Sequence, residues 1–246
     1  MGEARASAAG ARPAAGPAEA PLLGVVIPTL DEEATLPGIL ADLRALRVPH
    51  IVVVADGGSR DGTAHVAEAH GARVLAAPRG RGPQLNAGAA LLGSEWLLFL
   101  HADVRLTETA RQSLVEALAR DVEAAVFGLA IDAAGVWPRV MELGAWIRDR
   151  LGGLPYGDQG LLVRRGLFEA VGGYPPIPVM EDVAMVRALR GRTQLVRLPA
   201  ALEVSPRRWR REGPYRTWAR NSALLTAYLA GVSPHRLARW YRPESG

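Results

Sequence analysis

Polar groups gather where apolar runs stop, at four places along the chain. Thr29, Asp31 and Glu32 follow the run Leu22–Ile27, and Asp56-Gly57-Gly58-Ser59 follows Ile51–Val54. Arg79-Gly80-Arg81-Gly82, with Gln84 and Asn86 beyond it, follows the run Arg73–Ala76, and His101-Ala102-Asp103 follows Trp96–Leu100. Each group has a definite chemistry and a plainer alternative. A carboxylate such as Asp56 accepts from ribose hydroxyls and ring N–H groups, but aspartate is also a common turn residue. Arg79 and Arg81 among glycines allow close backbone approach to an anion with bidentate contacts, or form a solvated loop. His101 and Asp103 stand two apart, so at a strand end both point the same way. An imidazole and a carboxylate there suit a hard or borderline divalent cation, with a substrate diphosphate filling other positions. The alternative is a polar strand end with Asp103 capping the next element. Farther on, Glu181-Asp182 opens a predicted helix, where acids routinely cap and complement the macrodipole and where one carboxylate can also serve as a general base.

The elements that position these groups follow from periodicity. The run Leu22–Ile27 reads as a buried strand, and Leu36, Ile39, Leu40, Leu43 and Leu46 recur at helical spacing behind it. Ile51–Val54 is apolar and β-branched, as a strand covered on both faces is. A helix from Asp61 or Thr63, a strand at Arg73–Ala76, a helix at Leu85–Leu92, a strand at Trp96–Leu100 and a helix after Thr107 continue the alternation. Strands alternating with helices of this length predict an α/β fold with a mainly parallel sheet. In the second half strands are expected at Val126–Ile131, Leu161–Val163 and Leu195–Leu198, and helices at Val140–Leu151, Leu167–Val171 and Asp182–Leu189. Two helices follow Pro214. Gly152–Asp158 and Tyr174–Pro178 are loops by composition. Ligands of open parallel sheets bind outside the carboxyl ends of the strands, which is the edge where the four polar groups fall. Thr29, Asp31, Glu32, Asp56, Gly58, Arg79 and Gln84 are the candidate nucleotide contacts at that edge.

Composition narrows the chemistry further. At 246 residues with 49% hydrophobic and 22% charged side chains, the chain is ordinary globular material. It has no cysteine, which excludes disulfides, thiolate nucleophiles, iron–sulfur clusters and cysteine-held zinc. All 29 Lys-plus-Arg positions are arginine, so neither a Schiff-base lysine nor a phosphate-loop lysine exists. Gly80 and Gly82 do not complete a dinucleotide fingerprint, because Leu85 stands where the third glycine belongs. The formal charge is only +4, but Arg207, Arg208, Arg210, Arg211, Arg216 and Arg220 crowd one stretch. Such a cluster suits phosphates or an anionic membrane surface, or is a solvated face. Sparse aromatic interleaving argues against nucleic acid. Residues 1–20, rich in Ala, Gly and Pro, are expected to be a disordered extension. No apolar run approaches the roughly 18–20 residues of a membrane span, so a cytoplasmic protein is expected, with membrane contact at most peripheral to the inner face.

The motifs PTLDEE, VVVADGGSRDGT, RGRGPQLNAG and LLFLHADV, in that order, resemble a family 2 glycosyltransferase with the GT-A fold, a Rossmann-like nucleotide-diphospho-sugar transferase. The likeness runs from Leu22 to about Tyr241. Within the family the chain most resembles the small bacterial branch found beside radical-SAM, selenodomain or arsenosugar-biosynthesis genes, which carries His-Ala-Asp at the metal position. The resemblance implies one GT-A domain over 21–246, with a nucleotide-binding half (22–105), an acceptor half (106–212) and C-terminal helices (213–246). It implies that Asp31 or Glu32, with Asp56, grips the nucleoside, and that Arg79 meets the diphosphate. Asp103 becomes the main ligand of a divalent metal (Mn or Mg), with His101 in place of the usual first aspartate. Gly157-Asp158-Gln159 matches an acceptor-side loop, and Glu181-Asp182 the pair whose aspartate is the general base. Arg208 and Trp209 match the end of a Q-x-x-R-W motif whose glutamine is here Ser205, which argues against a processive polysaccharide synthase. The activity implied is metal-dependent, inverting transfer from a UDP- or GDP-linked sugar to a small-molecule or lipid-linked acceptor. A retaining transferase, or a non-catalytic nucleotide- or anion-binding module on this fold, are the alternatives.

Overall fold

The computed structural model describes residues 22–152 and 157–240; residues 1–21, 153–156 and 241–246, and with them the expected N-terminal extension, lie outside the described residues. Leu23–Thr29 (β1), His50–Asp56 (β2), Arg73–Ala76 (β3) and Trp96–Phe99 (β4) form a parallel group in the order β3-β2-β1-β4. Leu36–Arg44 (α1), Thr63–Ala69 (α2) and Arg81–Ala90 (α3) are the crossover helices. β1 and β4 are buried along their whole length, because helices cover both faces of the sheet. Alternation sorts their side chains: Val25 and Ile27 join the cluster with Leu36 and Ile39, while Val26 joins Leu85 and Phe99 on the other face.

The chain continues through Val104–Arg105 (β5), Glu108–Leu118 (α4), Ala124–Ile131 (β6), Val136–Gly152 (α5), a 3-10 turn at Gly157–Gln159, Leu161–Arg164 (β7) and Arg165–Ala170 (α6). Glu181–Arg190 (α7), Val196–Val204 (β8), Arg207–Glu212 (α8), Pro214–Leu229 (α9) and Pro234–Trp240 (α10) complete it. The full strand order is β3-β2-β1-β4-β7-β6-β8-β5. β7 runs antiparallel to β4 and β6, β8 pairs parallel with β6, and β5 antiparallel with β8. The pairings are thus mostly parallel. β4 and β5 stand four places apart in this order, which in a flat sheet is roughly 19 Å. The short link from Phe99 to Val104 reaches at most about 18 Å. The sheet therefore curls, bringing the end of β8 round to the end of β4, and Ser205 N–H donates to the Asp103 carbonyl at 3.0 Å.

Several boundaries differ from the sequence reading. α3 opens at Arg81 rather than Leu85, because Gly80 at φ 130° makes the entry turn and Pro83 fits a first helical turn. α5 opens at Val136 rather than Val140. β8 runs on to Val204 past Pro199. Val126 pairs with Arg197 but Gly128 with Ala201, so extra β8 residues bulge around the proline that has no N–H to give. α8 and β5 have no counterpart in the sequence reading.

One buried carboxylate ties the segment after Asp103 to α1. Asp42, 8% exposed, accepts from Arg105 Nε and Nη2 at 2.7 and 2.8 Å and from Leu106 N–H at 2.9 Å. Asp42→Ala leaves the buried Leu106 N–H without that acceptor and is expected to cost about 2 kcal/mol, read as a lowered urea midpoint with an unchanged slope.

Candidate active site

Asp103 and Asp182 line one crevice of about 180 Å³, together with Arg81, His101, Asp158, Glu181 and Trp209. The turn after β4 supplies His101 and Asp103, the 3-10 turn Asp158, and the first turn of α7 Glu181 and Asp182. α8 brings Trp209, whose ring lies 6.3 Å from that of Trp137, and α9 brings Thr217 and Asn221. The period-two argument for His101 and Asp103 does not hold, because β4 stops at Phe99 and both residues sit in the following turn. The two nevertheless face the same hollow. His101 Nε2 lies 2.8 Å from where a Cβ on Gly157 would be, and Asp182 Oδ2 lies 3.5 Å from that point. A side chain there would displace the imidazole from its present position.

Asp182 is half-buried. Its Oδ2 accepts from Gly157 N–H and its Oδ1 from Val183 N–H, both at 2.8 Å, so it does help hold the helix start while keeping a lone pair on each oxygen. Glu181 beside it is 4% exposed and meets Arg81 at 3.3 Å. Burial raises the Glu181 pKa; Arg81 opposes that rise and the neighbouring Asp182 adds to it. Burial also lifts the Tyr174 hydroxyl well above its ordinary value, with further help from Asp182 and Glu181. A small apolar chamber of Leu85, Phe99, Val126 and Tyr174 backs Asp182 and Glu181, so the acids work against a low-dielectric wall.

The residues expected to hold a nucleoside, Thr29, Asp31, Glu32, Asp56 and Gly58, stand at the ends of β1 and β2 and do not line this crevice. Thr29 Oγ donates to Asp56 Oδ1 at 3.1 Å. Asp56 also accepts from the Ser59 hydroxyl and from the N–H groups of Gly58 and Ser59 at 3.1 and 3.0 Å. All four lone-pair directions are therefore engaged, with Gly58 at φ 92° closing the turn. Burial acts to raise the Asp56 pKa, but the bonds from Ser59, Gly58 and Thr29 outweigh it and hold the group below its ordinary 3.8. A depressed carboxylate stabilises the fold above the unfolded value and loses that contribution as pH falls through the folded one. The melting-temperature difference between wild type and Asp56→Asn is accordingly expected to be largest above about pH 4 and to narrow below it.

Asp31 and Glu32 lace the two loops together. Asp31 N–H donates to Ser59 Oγ at 2.9 Å, Arg60 N–H to Asp31 Oδ1 at 2.7 Å, and Glu32 N–H to Thr63 Oγ1 at 2.8 Å. Asp31 (φ 55°) and Met180 (φ 67°) are the non-glycine residues with left-handed backbone among the described residues. One follows the end of β1 and the other lies in the crevice wall, and functional sites commonly hold such strain.

Two expected contacts are engaged inside the fold instead. Gln84 is buried, and its Nε2 donates to the carbonyls of Thr29 and Ala55 at 2.8 and 2.7 Å; it braces the strand ends instead of facing a nucleotide. Gln159 is fully buried and bonded to Asp149, Arg148 and the Phe127 carbonyl, so it supports the Asp158 turn rather than an acceptor. Arg79 is exposed at the bend before α3, and Arg81 is the arginine of that pair in the crevice. Arg208 lies in α8, and its side chain is outside what is described. Among the crevice residues that the sequence reading left off the site are Arg81, Thr217 and Asn221. The second arginine of the glycine-rich pair was a visible signal for the first; nothing local marked the other two.

The chain matches the model of glycosyl transferase family 2 over residues 24–157. An uncharacterized glycosyltransferase of Mycobacterium bovis is 34% identical over 122 residues, 49% of this chain and 54% of that protein. A PGL/p-HBAD biosynthesis glycosyltransferase of the same species is 30% identical over 167 residues, 63% of this chain and 64% of its own. The chain thus spans about half to two thirds of the length of the curated relatives it matches. Among solved structures, a mannosyltransferase from Pyrobaculum calidifontis in complex with GDP-Man and Mn2+ superposes with a TM-score of 0.62 at 19% identity, covering 87% of this chain and 66% of that one. Glucosyl-3-phosphoglycerate synthase from Mycobacterium tuberculosis gives 0.56 at 18% identity, covering 75% and 70%. These likenesses carry the GT-A fold. With the family model matching more than half of its residues, the chain belongs to glycosyl transferase family 2.

Proposed function

We propose that this crevice transfers a sugar, with inversion, from a nucleoside diphosphate sugar to an acceptor hydroxyl. The observation that carries the reading is that Asp103 and Asp182, 79 positions apart in the sequence, share one hollow. At about 180 Å³ it is smaller than the roughly 300–1,000 Å³ of a usual ligand pocket. Only the transferred end of the donor fits inside, and the nucleoside lies on the rim at the ends of β1 and β2. There a ribose hydroxyl takes the place of Ser59 Oγ on Asp56. Neighbours of the same fold were solved with GDP-Man and with UDP, each with Mn2+, which supports a UDP- or GDP-linked donor.

Asp103 and His101 are two protein donors on the crevice wall, and among the described residues no three His, Cys, Asp or Glu side chains form a metal cage. That donor set fits a Mn or Mg ion completed by diphosphate oxygens, the usual arrangement for such ions. When bound, the ion supplies positive charge to the departing diphosphate. Arg81 adds a guanidinium from α3, held in place by Glu181. Asp182, fixed by the Gly157 and Val183 amides, accepts the acceptor's proton on a remaining lone pair as the hydroxyl attacks. A single displacement at an oxocarbenium-like centre inverts the anomeric carbon. The finer assignment to the His-Ala-Asp branch rests on His101-Ala102-Asp103 alone.

Incubation with a panel of UDP-, GDP- and dTDP-sugars in the presence of manganese tests the reading. Slow release of nucleoside diphosphate from one donor is expected even without an acceptor; neither binding nor release with any donor would defeat it.

A further inference from the structure

A second cavity adjoins the crevice. It is an open groove of about 1160 Å³ whose charged lining is Arg139, Arg207, Arg210 and Arg211 against Asp132 and Glu203. Positions 207, 210 and 211 fall on one face of α8. All three are exposed, and among the described residues neither an ion pair nor a side-chain hydrogen bond engages their guanidinium groups. Arg139 reaches in from α5, paired among the described residues with Glu142 of its own helix at 2.7 Å. The two acids of the groove also act on Arg105, so their charge is shared. Three like charges within one helical turn repel one another, and among the described residues no carboxylate forms an ion pair with any of the three. Although Asp132 and Glu203 share the groove, neither is ion-paired with these arginines among the described residues; a multiply charged anion relieves the repulsion, and guanidinium forks match phosphate oxygens in pairs.

The groove opens toward the chemistry. Ser205 lines both the groove and the crevice, and its N–H is bonded to the Asp103 carbonyl. Trp209 faces the crevice while Arg210, the next residue, faces the groove. The groove shares no lining residue with the ends of β1 and β2, so an anion held there is distinct from one held beside Asp56.

We propose that Arg207, Arg210 and Arg211 bind a phosphate-class group of the acceptor, so that its hydroxyl end enters the crevice past Ser205. The word acceptor rests on the glycosyl-transfer reading; the anion site does not. The phosphate comes either from a soluble phosphate ester or from a lipid headgroup. The second source has a resting place next to Arg139, since Val136, Val140, Leu143 and Ile147 form an exposed apolar stripe along α5.

The test has two arms, both with UDP and GDP present at millimolar concentration to fill the donor side. The first titrates inorganic phosphate into the full chain by calorimetry. The second sediments the chain with phosphatidylcholine vesicles, with and without phosphatidylglycerol. Arg207→Ala/Arg210→Ala/Arg211→Ala is compared with a control of equal charge change, Arg73→Ala/Arg187→Ala/Arg192→Ala, both checked for folding by thermal melting. Salt-sensitive binding that falls at least about tenfold in the first variant and holds in the control supports the site. Binding in the phosphate arm alone marks a soluble ester, and binding only to vesicles containing phosphatidylglycerol marks a headgroup. Binding in neither arm, or equal loss in both variants, overturns it. Donor release by the wild type is read separately: its absence removes the glycosyl-transfer reading and leaves the anion result standing.

Discussion

Asp182→Asn lowers the rate of donor turnover by roughly 100- to 10,000-fold, the usual worth of a positioned general base, while nucleotide affinity stays near the wild-type value. The geometry sets both halves of this result. Asp182 lies in the crevice wall and does not touch the β1 and β2 ends proposed for the nucleoside. Asparagine keeps the shape and can still accept from Gly157 or Val183 N–H, but it has no oxygen basic enough to take a proton. One of the two amide bonds is lost, so a small fall in melting temperature accompanies the change. Had Asp182 served only as a helix-start residue, the substitution would cost about 0.3–1 kcal/mol of stability, the worth of a negative charge in a first helical turn, and leave turnover unchanged. Rate and melting temperature measured on the same preparation separate the two roles.

Asp103→Asn has the second large effect, and on a different observable. With the carboxylate removed, manganese no longer strengthens nucleotide binding, and the affinity measured with the ion present falls at least about tenfold, or about 1.4 kcal/mol, to its metal-free level. Calorimetric titration of UDP and GDP into wild type and variant, each with and without manganese, reads this directly. A variant whose affinity still rises with manganese would assign the ion to other ligands. The neighbouring backbone stays anchored in the variant, because Ser205 bonds the Asp103 carbonyl and Asp42 holds Arg105 and Leu106. A loss therefore reports on the carboxylate and not on a collapsed turn.

The first half of the fold was legible because its physics is local. Strands covered on both faces must be apolar throughout, so β1, β2 and β4 stand out as runs, and the polar residues at their ends mark the edge where a ligand meets backbone. What the residues between strands face is decided by the curl of the sheet, which leaves no local trace. His101 and Asp103 reach the crevice through a turn that the period-two argument did not foresee. Gln84 and Gln159 have the polarity of ligand contacts, yet buried carbonyls and carboxylates claim them; a sequence does not distinguish a polar group facing substrate from one bracing a strand end. β5 and α8 are too short to carry a period. Thr217 and Asn221 enter the site only because α9 folds back over α7, burying Leu225 against Val183 and Val186.

The most direct measurement is a crystal structure with manganese and whichever of UDP or GDP binds. The diphosphate is predicted within coordination distance of an ion on Asp103, with the ribose against Asp56 and the open end of the diphosphate aimed toward Asp182. Nucleotide density on another face, with the hollow between the two aspartates filled only by solvent, would contradict the account.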